Sequence, residues 1–76
     1  MFLTPKHIEM LYEMADIHYA CFKRYYSEYD IEYKDVLELN HKKMIGVVKN
    51  FDAKKSTEIF EEMLNDYKDM LNGKRK

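Results

Sequence analysis

The stretch from Thr4 to Tyr29, TPKHIEMLYEMADIHYACFKRYYSEY, most constrains the fold, because helical spacing places its apolar residues on two adjoining stripes. Together the stripes cover roughly 200° of the helix, against roughly 100° for an ordinary amphipathic helix. Such a helix must be contacted from two sides, by the rest of the chain, by a second copy or by another protein. The first stripe contains Ile8, Leu11, Ala15, His18, Phe22, Tyr25 and Tyr29, and the second contains Met10, Met14, Ile17 and Cys21.

The start of this helix is better marked than its end. Thr4 has the chemistry of an N-cap, and Pro5 suits the first helical position because its missing N–H costs nothing there. No Gly or Pro ends the stretch. We place the end near Asp30, which can cap a following helix.

Two further sets of apolar residues have helical spacing, a first seam in residues 31–50 and a second seam in residues 53–72, and they predict two further helices. Gly46 interrupts the first seam and marks either a close helix crossing or a tolerated glycine, whereas Gly73 follows the second seam as a typical C′ residue. No alternating strand pattern or hairpin turn signal is present. The chain is therefore predicted to be all-α, a small three-helix bundle or helical hairpin with helices at about 5–29, 31–50 and 53–72.

Length and charge restrict the class of protein. The 76 residues allow one domain, residues 1–76. A domain of this size buries only a modest fraction of its surface and is marginally stable alone, and association with a second copy is a common way to gain stability. A net charge of −1 argues against a main affinity for phosphate backbones. The single cysteine fits a reducing compartment, and no apolar run reaches the length of a signal peptide or membrane span. We expect a cytoplasmic protein that does not bind membranes.

Two residue pairs have spacings used in catalytic or metal sites. His18 and Cys21 are neighbours on a helix, but a lone cysteine among apolar residues is usually a small buried hydrophobe. Glu38 and His41 have the spacing of a di-iron helix motif, which needs a second copy that the chain lacks. His7 is expected to face solvent or to be half-buried. We therefore expect no enzyme activity, no cofactor and no metal.

A basic segment around the second turn is the main argument for nucleic-acid or nucleotide binding. The third helix, however, presents Glu58, Glu61 and Glu62 where a reading helix needs basic or amide side chains. A solvated turn is the favoured interpretation, and nucleic acid is an unlikely partner. The possible anion-binding residues are Lys42, Lys43, Lys49, Lys54 and Lys55.

The tyrosines are the most informative feature of the composition. Tyrosine and methionine are enriched at protein interfaces, and six of the seven tyrosines lie in or just after the first helix. We expect the second stripe to remain exposed in a monomer and, with nearby tyrosines, to form an interface. The predicted interface residues are Met10, Met14, Ile17, Cys21, Tyr25, Tyr26 and Tyr29.

These observations favour a small non-enzymatic protein that acts by stoichiometric protein–protein binding. A regulator or inhibitor of the kind encoded by phages and mobile elements fits the size and the missing catalytic motifs. Its partner is another protein, itself as a homodimer, or both. The alternative is a helical protein that binds nucleic acid or a nucleotide through the basic turn and tyrosines.

Overall fold

The computed structural model describes residues 3–73, which form three α-helices in an up-down-up arrangement: α1 (Pro5–Tyr25), α2 (Tyr33–Asn50) and α3 (Ala53–Leu71). No strand occurs in this part of the chain. The prediction of a small all-α bundle is confirmed, and the bounds of α2 and α3 lie within two residues of the predicted ones. The end of α1 at Tyr25 is four residues earlier than predicted.

The start of α1 is closed by a reciprocal cap between Thr4 and His7. The Thr4 hydroxyl accepts the His7 N–H at 3.2 Å, and His7 Nδ1 accepts the Thr4 N–H at 3.3 Å. The other ring nitrogen of His7, Nε2, therefore carries a proton and donates it to the Thr57 hydroxyl on α3 at 2.8 Å. His7 is only 1% exposed, so the expectation of a solvent-facing or half-buried side chain is wrong. In this position His7 replaces the usual Glu or Gln of a capping box.

Helix α1 is central, and α2 and α3 pack on its two sides while contacting each other less extensively. The early part of the first stripe faces α2, where Leu11 and Leu37 line one groove, whereas Tyr25 at its far end contacts α3. The second stripe faces α3, where Met10 and Leu64 line another groove. Both stripes are thus used inside a single chain, as a helix with a narrow polar edge requires.

The expectation that the monomer leaves the second stripe exposed is wrong. Met14 is completely buried, Met10 and Cys21 are 4% and 3% exposed, and Ile17 is half-buried against the core. The inward face of α1 is centred between the two stripes, not on the first one. As a result, one edge of the first stripe lies at the protein surface, where Ile8 is 37% exposed.

The connection of residues 26–32 explains why α1 ends early. After this loop the chain reverses, and the Tyr33 hydroxyl donates to Asp16 Oδ1 at 2.8 Å while its ring packs edge-on against Tyr19 at 5.7 Å. Both partners lie well back along α1. A helix continued to residue 29 would leave only residues 30–32 to reverse the chain.

Local capping chemistry sets the two ends of α3. Asp52 is the N-cap of α3, and its carboxylate accepts the Lys55 N–H at 2.8 Å. Gly73 follows the C-cap Asn72 with a φ of 72°, a conformation that favours glycine. Gly46 is exposed, and a Cβ added there would meet no atom within 4 Å, so it does not mark a close helix crossing.

Candidate functional site

The end of α1 carries a group of exposed aromatic side chains. Tyr25, Tyr26 and Tyr29 are 45%, 49% and 59% exposed, and Phe22 is half-buried beside them. Neighbouring rings contact one another, with centroids 5.8 Å apart for Phe22 and Tyr26 and 6.2 Å apart for Tyr26 and Tyr29. We call these four residues the aromatic surface.

Hydrogen bonds fix this surface to the end of α3. The Tyr25 hydroxyl donates to the Met70 carbonyl oxygen at 2.9 Å, and Arg24 Nη1 donates to the Leu71 carbonyl oxygen. The last carbonyls of a helix have no intrahelical donor, which makes them ready acceptors. The Arg24 guanidinium also lies over the Tyr25 ring, 5.5 Å from its centroid. The end of α1 is therefore held in one position by α3.

A groove of about 400 Å³ lies between α1 and α3 beside the aromatic surface. Its walls are mainly apolar, and the His18 ring forms part of the floor. Pockets that accept an anchor side chain typically combine apolar walls with a few placed polar groups. The lining residues are His18, Cys21, Phe22, Tyr25, Tyr26 and Met70.

Next to the groove, a chain of polar side chains joins all three helices; we call it the polar chain. Lys43 Nζ lies 3.4 Å from the Tyr67 hydroxyl, Tyr67 donates to Asn40 Oδ1 at 3.1 Å, and Asn40 Nδ2 lies 3.1 Å from His18 Nδ1. Asn40 is fully buried and also donates to the Val36 carbonyl oxygen at 2.9 Å. Burial lowers the pKa of His18 below its ordinary value, as does the nearby Lys43 charge.

Sequence reasoning did not single out Asn40 or Tyr67 as a polar pair. The available signal was an asparagine on the otherwise apolar seam of α2, between Val36 and Met44. A buried amide requires partners, so such a residue points to a polar contact in the core. Its partners came from two other helices, which spacing along one helix does not reveal.

The surroundings of Cys21 do not resemble those of a reactive thiol. Its Sγ lies 3.6 Å from the Tyr67 carbonyl oxygen, to which the thiol donates. Burial raises the pKa of Cys21, and the weaker effect of Arg24 opposes this. A nucleophilic cysteine requires the thiolate form, which this position disfavours.

The predicted anion-binding lysines are spread over the bundle. Lys42 lies 3.6 Å from Glu38 and Lys55 lies 3.8 Å from Glu58, so acidic partners offset these two charges. Lys43 points to Tyr67 in the polar chain. Lys49 and Lys54 are exposed near the turn between α2 and α3.

The basic turn and the aromatic surface lie at opposite ends of the bundle. The turn adjoins the start of α1, where His7 meets Thr57, whereas the aromatic surface adjoins the end of α3, where Tyr25 meets Met70. The long axis of the molecule measures 38 Å. The structure therefore does not combine the lysines of the turn with these tyrosines in one site.

Within residues 3–73 the chain has neither a cluster suited to a metal ion nor a membrane-spanning helix. No group of three His, Cys, Asp or Glu side chains in this region is placed to hold a metal ion. No helix in the same region has both the length and the apolar content needed to cross a membrane. Glu38 and His41 are both exposed on α2.

No protein-family model matches the chain, and no curated protein or solved structure is significantly similar to it.

Proposed function

We propose that this chain is a small non-enzymatic helical protein that binds another protein stoichiometrically through the aromatic surface, as a regulator or inhibitor. The observation that carries the proposal is the run of three exposed tyrosines, Tyr25, Tyr26 and Tyr29, at the end of α1. Soluble proteins seldom leave contiguous aromatic area exposed without a binding role. Tyrosine is also among the residues that contribute most to binding energy at interfaces.

The way the surface is held supports this function. Tyr25 is fixed to Met70 by a hydrogen bond, and Phe22 stacks on His18 with ring centroids 4.8 Å apart. Binding costs less entropy when side chains are already ordered. The groove beside these rings is large enough to receive an apolar side chain of a partner.

The homodimer expected from the second stripe loses its structural basis, because Met10, Met14 and Cys21 are buried in the single chain. Tyr25, Tyr26 and Tyr29 remain the proposed interface residues. Self-association through these tyrosines is one form of the proposed function, and the molar mass in light scattering distinguishes it from binding to a different protein.

The charges near the tyrosines favour protein over nucleic acid. The loop that contains Tyr29 also contains the exposed carboxylates Glu28, Asp30 and Glu32. Carboxylates at this position would repel a phosphate backbone. The basic turn lies at the other end of the bundle, and the Arg24 guanidinium beside Tyr25 already donates to the Leu71 carbonyl oxygen.

Affinity capture with matched tyrosine variants tests the proposal. The wild type, the Tyr26→Ser/Tyr29→Ser double variant and the Tyr12→Ser control are each used as bait in extract of the source cell. Tyr12 is 52% exposed and lies outside the aromatic surface. We expect a partner that is retained in stoichiometric amount by wild type and control but lost from the double variant. Equal retention by all three baits, or retention of nucleic acid alone, would rule out the aromatic surface as the binding site.

A further inference from the structure

The polar chain has a fixed direction, set by the Val36 carbonyl oxygen, which can only accept. Lys43 Nζ has no acceptor capacity, so the Tyr67 oxygen accepts from it and the Tyr67 O–H donates onward to Asn40 Oδ1. Because the Val36 carbonyl oxygen must accept from Nδ2, the Asn40 amide has a single orientation. Its NH₂ group then donates both to the Val36 carbonyl oxygen and to His18 Nδ1.

His18 is therefore held as an acceptor at Nδ1. A neutral imidazole can supply a lone pair there, but an imidazolium carries N–H groups on both nitrogens and cannot accept. Rotating the Asn40 amide would not resolve the conflict, because the NH₂ group would then face the Tyr67 O–H and the carbonyl would face the Val36 oxygen. Protonation of His18 must break at least one bond of the polar chain.

We propose that the polar chain is an acid-sensitive latch, in which protonation of His18 breaks its hydrogen bond to Asn40 and loosens the attachment of α1 to α2 and α3. The latch is independent of whether the aromatic surface binds a protein. Because His18 also forms part of the groove floor, opening the latch alters the support of Phe22 and Met70 in the same groove.

The groups around His18 come from all three helices. On α2, Asn40 donates to its ring and the Lys43 ammonium lies close enough to oppose a second positive charge. On α3, Tyr67 stacks on its ring with centroids 4.4 Å apart, and Asp66 lines a neighbouring depression with Lys43 and Tyr67. On α1, the groups beside it are Phe22 and the Cys21 thiol.

One effect acts against the latch. An imidazolium is attracted to the π faces of aromatic rings, and His18 lies between the rings of Phe22 and Tyr67. The neutral imidazole also stacks on both rings, so only the additional charge–ring attraction favours protonation. Burial of the charge and repulsion from Lys43 oppose protonation, in agreement with the lowered pKa of His18. Asn40 Nδ2 can donate to Nδ1 only when the ring is neutral, so the hydrogen bond opposes protonation as well.

Titration of the histidine ring resonances by nuclear magnetic resonance tests the latch directly. We expect His18 in the wild type to titrate below 6.5, its ordinary value, and the Asn40 side-chain amide resonances to shift in the same step. Titration of His18 at or above 6.5, or Asn40 resonances that do not follow it, would overturn the proposal.

Two variants test separately how Asn40 and Lys43 affect the titration of His18. Asn40→Asp places a carboxylate beside His18 Nδ1, which favours the imidazolium, so the His18 titration should move upward past its wild-type value. Lys43→Gln removes the positive charge but keeps an N–H donor for Tyr67, so a smaller upward shift is expected. An unchanged His18 titration in folded Asn40→Asp protein would contradict the latch, and the wild-type titration decides the matter if that variant does not fold.

The stability of the whole chain gives a second readout. A folded-state pKa below the unfolded value means that the unfolded chain binds the proton first, so the free energy of unfolding falls as pH drops below 6.5. His18→Asn keeps an acceptor near the Nδ1 position without a titrating group. Denaturant unfolding at neutral pH and at pH about 5 should therefore show a smaller loss for this variant than for the wild type. An equal loss in both proteins would refute the proposal.

Discussion

The Tyr25 hydroxyl on α1 donates a hydrogen bond to the Met70 carbonyl oxygen on α3, 2.9 Å away, and so joins the last residue of one helix to the end of another. Tyr25→Phe removes only this bond. We expect a loss of about 0.5 kcal/mol in the free energy of unfolding, because the group is partly exposed. Denaturant titration checks this, with Tyr29→Phe as the control. A control variant as destabilised as Tyr25→Phe would contradict the assignment.

Met14 is fully buried at the centre of the bundle, so its substitution should act on folding. Met14→Ala is expected to cost about 2–5 kcal/mol through lost burial and the cavity it leaves. Met14→Glu should prevent folding at neutral pH, because it places an unpaired charge in the core. Tyr12→Ala, on the exposed side of the same helix, should change stability by less than about 0.5 kcal/mol. Circular dichroism with urea titration distinguishes these outcomes, and a stably folded Met14→Glu variant would show that the packing is wrong.

The two glycines provide opposite tests of backbone conformation. Gly46 lies in an exposed helix interior with open space around it, so Gly46→Ala should stabilise the chain by about 0.5–1 kcal/mol. Gly73 has a φ of 72°, so Gly73→Ala should destabilise the end of α3 by about 1 kcal/mol. Thermal unfolding of both variants measures the difference. If both substitutions changed the stability in the same direction, the backbone conformation assigned to one of the two glycines would be excluded.

The contact between His7 and Thr57 joins the start of α1 to the start of α3. Thr57→Val keeps the shape of the side chain but leaves the His7 Nε2 proton without an acceptor, which should cost about 1–3 kcal/mol. Thr57→Ser keeps the hydroxyl and should cost much less. Chemical denaturation compares the two variants. Equal stabilities would mean that the hydroxyl is not the partner of His7.

The parts of the fold that were predicted from sequence depend on local chemistry. The Thr4 and Pro5 start signal, the Asp52 turn and the Gly73 stop signal all act within a few residues of their own position. The end of α1 is different, because the segment after Tyr25 contains no glycine or proline. That helix ends where Tyr33 must return to α1, which is a tertiary requirement.

The rotation of α1 about its axis was likewise not set by its own sequence. Both stripes are apolar, and only the positions of α2 and α3 decide that Met14 is buried while Ile8 is partly exposed. In the candidate site, too, some features follow from local sequence and others depend on how the helices pack. Local sequence placed the tyrosines together at the end of α1, whereas the contact of Asn40 with His18 and Tyr67 exists only once three helices have met.

Because α1 lies between α2 and α3, it determines which fragments of the chain can fold. Both α2 and α3 contact α1 more extensively than they contact each other. A fragment that lacks α1 would therefore expose most of its core and remain without fixed tertiary structure. An α1 peptide added to such a fragment would supply the missing core, so the chain is suited to reconstitution from two pieces with recovery of helicity as the signal.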